Sequence, residues 1–412
     1  MPDHPQSLFV LVVFVLVYLG MVLGGLPRLQ LDRTGVALLG AIALVGAEVM
    51  TPEQAALSIH LPTIVLLFSF MVISAQMRLG GFYSALTRGL DRVAPGPRLL
   101  LAAVIATSAG LSAVFTNDIV CLAMAPVLVD ITLRRRCDPV PYLLALACAS
   151  NIGSAATLIG NPQNMLIGEA LALPFAGYLR QALPPVLVSL GLLWLMLAGS
   201  AAGQGEGQGE GAAASPGAAD QAPPLDPWQA AKGLAVAGGL LGVFLLTDWP
   251  RDVAALVGAG VLLLSQRFHS SRVMGLVDWE LLVLFMGLFV VNHALELTGL
   301  TAAALRSLQA TGVDLGAPAT LFAATFVLSN LVSNVPAVML LLPVAGEQGT
   351  LLALVSTLAG NLLIVGSIAN IIVVDAARRR GVDIDWRRHA RTGVPVTLVS
   401  LAVSAGWLAV LR

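Results

Sequence analysis

Two strings of polar residues interrupt long apolar stretches of this chain. Thr116-Asn117-Asp118 follows the apolar residues 98–115, and Gly160-Asn161-Pro162-Gln163-Asn164 interrupts the apolar residues 140–172. In water such strings would be ordinary turns. In a lipid bilayer, backbone that leaves a helix loses its hydrogen bonds with no water to replace them, so polar irregular backbone is tolerated only where it lines a cavity or a site. These breaks therefore constrain the fold strongly if the chain lies in a membrane.

The composition places the chain in a membrane. Of its 412 residues, 57% are hydrophobic and 11% are charged, whereas soluble proteins have about 25% charged residues. The cysteines Cys121, Cys137 and Cys148 form no CxxC pair, so the sequence predicts neither a disulfide framework nor a zinc site. Residues 1–7 lack a basic segment and a cleavage motif, so we predict that the first apolar run is a membrane helix and not a signal peptide.

The apolar segments of spanning or near-spanning length fall into two groups. The first group lies at 8–26, 35–50, 61–77, 98–115, 118–133, 140–172 and 184–200, and the second at 229–247, 252–266, 279–298, 318–333, 336–346, 350–375 and 392–410. Residues 201–227, rich in Gly, Ala and Pro, are predicted to form a flexible cytoplasmic linker. The linker separates a first membrane repeat, 1–200, from a second, 228–412.

The basic residues define one face of the membrane. All but four of the 22 Lys and Arg residues fall on the same side of the predicted segments, the exceptions being Arg180, Arg251, Arg306 and Arg412. Because cytoplasmic loops carry an excess of Lys and Arg, we assign this face to the cytoplasmic side of the inner (plasma) membrane. The two halves then have opposite orientation, and the N-terminus and C-terminus are predicted to be extracytoplasmic.

The two halves also carry the same polar residues in the same order. Residues 111–127 align with 328–344, and residues 150–164 align with 356–370. The matched polar pairs include Asn117 with Asn334 and Asn164 with Asn370. An inverted repeat with matched breaks is the sequence mark of the binding site of a secondary transporter.

The segments around the first break favour a re-entrant hairpin. Its arms of about 15 residues are marginal for spanning, and they enter after Arg98 and leave at Arg134, both on the basic face. Ser333-Asn334-Val335-Pro336 would form the tip of a matching hairpin from the opposite face. The predicted fold is an all-α polytopic membrane protein with an inverted-topology repeat, about ten transmembrane helices, two re-entrant hairpins and helices broken at the midplane.

Each break predicts a helix N-terminus near the protein centre. Asn161-Pro162 has Asn as a capping residue and Pro at the first helical position, which is a strong start signal. The other predicted caps are Asn117 or Asp118, Asn334 and Ser367. An N-terminus carries about half an elementary positive charge and free N–H donors. Because the spans contain no Lys or Arg apart from Arg98 and Lys232 near segment ends, the pattern predicts an anion-favouring site that is balanced by dipoles, amides and co-bound cations.

These motifs resemble those of the ion transporter superfamily, which includes arsenite pumps, sodium–proton antiporters and citrate/dicarboxylate permeases. The similar strings are F-T-N-D at 115–118, I-G-N-P-Q-N at 159–164, S-N-V-P at 333–336 and G-S-I-A-N at 366–370, and the bacterial anion permease branch is the most similar. The resemblance implies ten spanning helices, two opposed hairpins, a dimer and elevator-like alternating access. Dicarboxylate carriers have Ser-Asn-Thr at both tips, whereas this chain has Thr-Asn-Asp and Ser-Asn-Val.

The candidate substrate- and ion-binding residues are the polar residues of the tips and breaks. They are Thr116, Asn117, Asp118, Asn161, Asn164, Ser333, Asn334, Ser367 and Asn370. Asp118 is the one carboxylate predicted at mid-depth, where an acid is a functional hypothesis by default; its alternative role is to cap the returning arm. Na⁺ near Asn117 and Asn334 is the candidate coupling ion. No other cofactor, metal or catalytic residue is predicted.

These features predict a secondary active transporter, not an enzyme, for a small anion or oxyanion-like solute, driven by a Na⁺ or H⁺ gradient. Two alternatives use the same fold: a sodium–proton antiporter in which Asp118 exchanges the ions, and an arsenite-type efflux permease for a hydrated neutral solute. An intramembrane protease would need a second mid-depth Asp, or a Ser with a His, and the sequence offers neither. The predicted partners are the solute, the lipid bilayer and a second copy in a homodimer, with no nucleic acid.

Overall fold

The computed structural model describes residues 4–26, 29–94, 96–202 and 224–411. The helices of the first half are α1 (His4–Leu23), α2 (Arg33–Gly46), α3 (Pro52–Ser58), α4 (Leu61–Leu79), α5 (Phe82–Val93), α6 (Pro97–Val114), α7 (Asn117–Arg134), α8 (Pro139–Ser154), α9 (Pro162–Ala170) and α10 (Phe175–Ala202). Among the described residues, the β-structure is one antiparallel pair, β1 (Gly25–Leu26) with β2 (Leu31–Asp32).

The second half repeats this order of helices. They are α11 (Pro227–Leu246), α12 (Arg251–Leu263), α13 (Ser270–Met274), α14 (Trp279–Leu297), α15 (Leu300–Ala310), α16 (Pro318–Val332), α17 (Asn334–Ala345), α18 (Gly349–Ala359), α19 (Ile368–Arg378) and α20 (Trp386–Val410). Two 3₁₀ turns, Gly346–Gln348 and Ile364–Gly366, precede α18 and α19. The four short helices α3, α5, α13 and α15 lie between spans and were not predicted from the sequence.

Ten segments form the spans: α1, α2, α4, the broken helix α8–α9, α10, α11, α12, α14, the broken helix α18–α19, and α20. Eight stretches of the described chain are individually long and apolar enough to cross a bilayer. Two of them are not single spans. Pro97–Val114 is α6, whose chain turns back at Thr116, and in Asn334–Ala359 the chain turns at Gly346 (φ 48°, ψ −124°) and α17 packs against α18. The shorter apolar helices include Arg33–Gly46 and Pro318–Val332.

The two re-entrant hairpins are α6–α7 and α16–α17. Thr116 interrupts the first with an extended backbone (φ −63°, ψ 130°), and Ser333 interrupts the second (φ 78°, ψ 160°). The arms pack against each other in both hairpins. The predicted all-α inverted-repeat fold, with its hairpins and broken helices, is confirmed.

Glycines allow the first hairpin to approach the first broken helix closely. A Cβ on Gly153 would lie 2.3 Å from the Cα of Ala109, and a Cβ on Gly160 would lie 2.6 Å from the backbone oxygen of Ser112. Real Cβ atoms do not make such contacts, so glycine is required at both positions. The tip of the hairpin is thereby held against the break between α8 and α9.

The element boundaries differ from the predictions at one notable place. The predicted segment begins at residue 184, whereas helix α10 begins at Phe175 and contains Pro184 and Pro185 in its interior. Neighbouring elements in membrane proteins compensate for the hydrogen bonds that an interior proline removes. Residues 203–223 of the predicted linker lie outside the described residues, so the division of the chain at 201–227 stays a prediction.

Ion pairs connect the segment ends on the basic face. Arg135 pairs with Asp91 at 2.6 Å, and Arg380 pairs with Asp130 at 3.1 Å. Arg267 pairs with Asp226, which caps α11, at 2.6 Å. Each pair joins two different elements, so together they fix the positions of these ends relative to one another.

Candidate functional site

The break in the first repeat joins α8 to α9. The side-chain Oδ1 of Asn161 accepts a hydrogen bond from the backbone N–H of Asn164 at 2.9 Å, and Pro162 is the first residue of α9. This is the start that the sequence predicts, with a capping Asn followed by a Pro that needs no N–H partner. Residues 155–161 cross the break fully buried inside the protein.

Asn164 and Asn370 close the two equivalent breaks with equivalent bonds. The Nδ2 of each asparagine donates to two backbone oxygens near the end of the preceding helix. These are the oxygens of Ser154 and Thr157 for Asn164 (3.4 and 3.0 Å) and of Gly360 and Leu363 for Asn370 (2.8 and 3.0 Å). The last carbonyls of a helix have no partner within it. Both asparagines therefore satisfy acceptors that the breaks leave free.

Asn151, in α8, connects the first hairpin tip to the second break. Its Oδ1 accepts hydrogen bonds from Nδ2 of Asn117 at 2.9 Å and from Oγ of Ser367 at 3.0 Å. Its Nδ2 donates to Oδ1 of Asn361 at 2.8 Å and to Oδ1 of Asn370 at 3.2 Å. The residue is 2% exposed, so these bonds replace water completely. One side chain thus joins both repeats.

Thr357, in α18, makes the reverse connection from the second repeat to the first. Its Oγ1 accepts from Nδ2 of Asn161 at 3.2 Å and from Nε2 of Gln163 at 3.3 Å, and it donates to Oδ1 of Asn164 at 3.1 Å. The two networks are buried. Together they place both breaks and the first tip in one continuous polar region inside an apolar protein.

Each hairpin tip leaves one amide oxygen without a partner. The backbone N–H of Asn117 donates to the oxygen of Gly160 at 3.2 Å, but its side-chain Oδ1 is buried and accepts nothing from the described residues. The Oδ1 of Asn334 is also buried and unpaired within that part of the chain. A Cβ on Gly360 would lie 3.1 Å from Nδ2 of Asn334, so the second tip lies against the second break.

Two of the predicted caps are wrong. Helices α7 and α17 begin at Asn117 and Asn334, and the capping positions belong to Thr116 and Ser333, whose side chains make no capping hydrogen bond. Ser367 has the predicted capping position of α19, but its hydroxyl bonds a side chain of α8 instead of the helix. Asn151 of α8 bonds the side chains of Asn117 and Ser367 instead, a contact that local sequence does not reveal.

Asp118 is the second residue of α7 and is half-buried. Its carboxylate accepts no hydrogen bond from the residues that the structure describes, so it does not cap the returning arm. A role in ion coupling stays a prediction.

Sequence reasoning missed several members of the networks. They are Asn151, Ser154, Gln163, Tyr178, Thr357 and Asn361. A signal existed for two of them, because the alignment of 150–164 with 356–370 also pairs Asn151 with Thr357. For the other residues the repeat gives no comparable signal. They are brought together only by the packing of the helices.

The polar region contains no cationic side chain. The sequence has no Lys or Arg over residues 99–133, 137–179 and 307–377, which include both tips and both breaks. Positive potential in the region therefore comes from the N-termini of α7, α9, α17 and α19. Neutral amides and hydroxyls supply the remaining polar contacts.

Comparison with known proteins identifies the family. The profile of CitMHS, described as "Citrate transporter", matches residues 9–350. The chain belongs to this family. The resemblance to the ion transporter superfamily that its motifs indicate is thus confirmed, and the protein is a multi-pass integral membrane transporter.

Relatives of this member of the citrate transporter family align with most of its length. The silicon efflux transporter LSI3 of Oryza sativa subsp. japonica is 31% identical over 482 aligned residues, covering 97% of each chain. The inner membrane protein YbiR of Escherichia coli is 31% identical over 372 residues, covering 87% of this chain and 91% of YbiR. The crystal structure of the Alcanivorax borkumensis YdaH transporter has the same fold, with a TM-score of 0.61, 15% identity and 98% coverage of both chains.

Proposed function

We propose that this chain is a secondary active transporter for a small anion or oxyanion-like solute, coupled to a Na⁺ or H⁺ gradient through alternating access. The observation that carries the proposal is the pair of buried Oδ1 atoms at Asn117 and Asn334, which have no hydrogen-bond partner among the described residues. They occupy matching positions at the tips of opposed hairpins. A buried acceptor without a partner costs about 1–3 kcal/mol, which a bound cation or a hydroxylated solute would recover.

The helix N-termini support a negatively charged solute. The sequence of the hairpins and breaks provides no Lys or Arg for a salt bridge. Unpaired N–H groups in the first turns of the helices favour negative charge. A coupling cation at the tip oxygens would balance that charge, which explains why acceptors and donors occur side by side.

A second candidate is the efflux of an undissociated hydroxylated acid. A site of neutral amides and hydroxyls can bond O–H groups without any counter-ion. The LSI3 relative is named for silicon efflux, which supports this class. The two candidates differ in one measurable way, since the transport of a neutral acid needs no balancing cation within the site.

The proposal includes a homodimer with both chain ends outside the cytoplasm. The orientation is supported by the ion pairs on the basic face, which join the loops that carry most of the arginines. Labelling of single cysteines near residues 4 and 411 in intact cells tests the orientation. Mass photometry of the purified protein tests the dimer.

A thermal-shift screen of the purified protein tests the function. The additives are citrate, phosphate, arsenous acid and silicic acid, each in NaCl, KCl or choline chloride at pH 6 and pH 8. A ligand at 100 times its Kd stabilises the folded state by about 2.7 kcal/mol. A shift that needs an anion and Na⁺ together supports the first candidate, and a shift by the neutral acids alone supports the second.

Matched variants make the screen specific. Asn117→Ala and Asn334→Ala should abolish the ligand-induced shift. Gln229→Ala removes a buried amide that bonds Gln76 between α11 and α4, away from the breaks, and should leave the shift unchanged. The proposal fails if Asn117→Ala and Asn334→Ala retain the full shift.

A further inference from the structure

His389 is a buried histidine beside the second break. It lies in the first turns of α20 and is 1% exposed. Its Nε2 lies 3.1 Å from the backbone oxygen of Asn361. A carbonyl oxygen can only accept, so Nε2 carries the hydrogen and Nδ1 has the free lone pair. Nδ1 is buried and has no hydrogen-bond partner in the described part of the chain.

Close packing fixes this contact. A Cβ on Gly393, one turn after His389, would lie 2.4 Å from the oxygen of Asn361 and 2.9 Å from Nε2 of His389. Only glycine permits the backbone of the break to approach α20 so closely. The imidazole and the carbonyl are therefore held together by the packing of α20 against the break.

Asn361 links the histidine to the candidate site. Its side-chain Oδ1 accepts from Nδ2 of Asn151 at 2.8 Å, and Asn151 in turn accepts from Nδ2 of Asn117 at the first tip. The Nδ2 of Asn361 is itself buried and unpaired among the described residues. A displacement of the Asn361 backbone would therefore change the hydrogen bonds that position the tip.

Few other titratable groups surround His389. The elements packed against α20 are α8, α10, α18 and the turn Ile364–Gly366. Their titratable residues are Tyr142 and Cys148 on α8 and Tyr178 and Arg180 on α10, and the exposed charged residues at the start of α20 are Asp385, Arg387, Arg388 and Arg391. Tyr, Cys, Arg and Asp have ordinary pKa values well away from neutrality. Histidine is the side chain that changes charge between about pH 5 and 8.

We propose that Nδ1 of His389 is a proton-binding site that couples protonation to the geometry of the break and the first tip. A proton adds to the lone pair of Nδ1, and no covalent bond breaks. The hydrogen bond from Nε2 to Asn361 then becomes charge-assisted, which makes it about twice as strong as a neutral one. Protonation thus strengthens the contact that holds the carbonyl of Asn361 against α20, and loss of the proton weakens it. The coupling of protonation to solute transport rests on the proposed function, whereas proton binding by His389 does not.

Proton binding is tested on the whole protein without a solute. The five histidines are labelled with ¹⁵N in their side chains and the asparagines with ¹⁵N in their amides, and NMR spectra are recorded in nanodiscs between pH 5 and 8; the Asn117 signal is the one that disappears in Asn117→Ala. His389 is assigned by the signal that disappears in His389→Gln. We expect its Nδ1 signal to titrate in this range and the amide signal of Asn117 to shift with the same midpoint. A signal that stays neutral throughout, or a titration without any change at Asn117, overturns the proposal.

Coupling is tested with His389→Gln, whose side-chain amide can still donate to Asn361 but does not titrate. The probes are arsenous acid and citrate in proteoliposomes with an imposed pH gradient. We expect wild-type accumulation to follow the gradient and His389→Gln to retain downhill uptake with a flat pH profile. The control His293→Gln alters a histidine that pairs with Glu296 on α14, and should behave as the wild type.

A merely structural His389 would give His389→Gln a pH profile equal to that of the wild type, and this result would overturn the coupling. If neither probe is transported by the wild type, the proposed solutes are wrong, whereas the NMR titration still decides proton binding. If His389→Gln does not fold, single Gln substitutions of the other four histidines assign the His389 signal by elimination.

Discussion

The two hairpin tips occupy equivalent positions of the repeat but are held differently. At the first tip, Asn117 is anchored through its backbone N–H to Gly160 and through its side chain to Asn151. At the second tip, Asn334 has no hydrogen bond of its side chain to another described residue, and Ser333 before it has a positive φ of 78°. One tip is therefore fixed by hydrogen bonds, while the other is held by packing around a strained residue.

The two tips should also differ in mobility under the proposed alternating access. An element that opens and closes a binding site must move at a small cost in free energy, so such elements come from the less stable parts of a structure. The second tip has fewer bonds to break, and its opening would also relieve the strain at Ser333. We therefore expect the second hairpin to be the more mobile of the two, and the following experiments test this asymmetry.

Asn151→Ala should have the largest effect on stability. It removes four hydrogen bonds and leaves buried partners unsatisfied, each at a cost of about 1–3 kcal/mol. The melting temperature should fall strongly, and a cysteine at position 116, which leaves the bond from Asn117 to Asn151 in place, should become accessible to a thiol reagent while one at 333 changes little. Ser307→Ala, on the exposed face of α15, is the control. Equal gains in labelling at both positions would contradict separate anchoring of the tips.

Asp118→Asn makes the tips electrically alike, because the second tip has Val335 at the matching position. Binding depends on dipoles and amides, whereas coupling depends on a charge that a cation can balance. We expect the variant to bind ligand in the thermal-shift screen but to lose most uphill accumulation in proteoliposomes with an imposed cation gradient. Glu296→Gln, on the exposed end of α14, should accumulate normally. Full accumulation by Asp118→Asn would remove this residue from the coupling mechanism.

Asn117→Ala should destabilise the protein more than Asn334→Ala. Both substitutions remove an unpaired oxygen, but only the first also breaks the 2.9 Å bond to Asn151. The expected difference is about 1–3 kcal/mol, since the carbonyl of Asn151 would lose a buried donor. Thermal unfolding in the same detergent, without ligand, measures it. Equal melting temperatures would mean that the two tips are anchored equally.

Ser333→Gly and Thr116→Gly should have opposite, smaller effects. The conformation of Ser333 belongs to a region that only glycine adopts readily and costs about 1–3 kcal/mol. Glycine also loses about 0.5–1 kcal/mol through the greater freedom of the unfolded chain. Ser333→Gly should therefore raise the melting temperature slightly, and Thr116→Gly, at an ordinary φ of −63°, should lower it. If both substitutions changed the melting temperature in the same direction, the second tip would not be strained.

Local signals predicted the fold well because a bilayer leaves few alternatives. The arms predicted at 98–115 and 118–133 are helices at Pro97–Val114 and Asn117–Arg134, since apolar length and polar breaks together allow only a hairpin or two marginal spans. The cap at Asn161 was also predictable, because Asn-Pro acts through its own backbone. The starts of α7 and α17 were not, because Thr116 and Ser333 take the capping positions there without a side-chain capping bond.

The sequence by itself determined a membrane transporter with an inverted repeat and polar residues at the tips and breaks. These follow from hydropathy, the placement of arginines and the need to satisfy backbone groups in lipid. Only the tertiary structure decided that Asn164 and Asn370 close the breaks, that Asn151 and Thr357 exchange bonds between the repeats, and that His389 contacts Asn361. These contacts join residues far apart in the chain, so helix packing selects them and no local pattern encodes them.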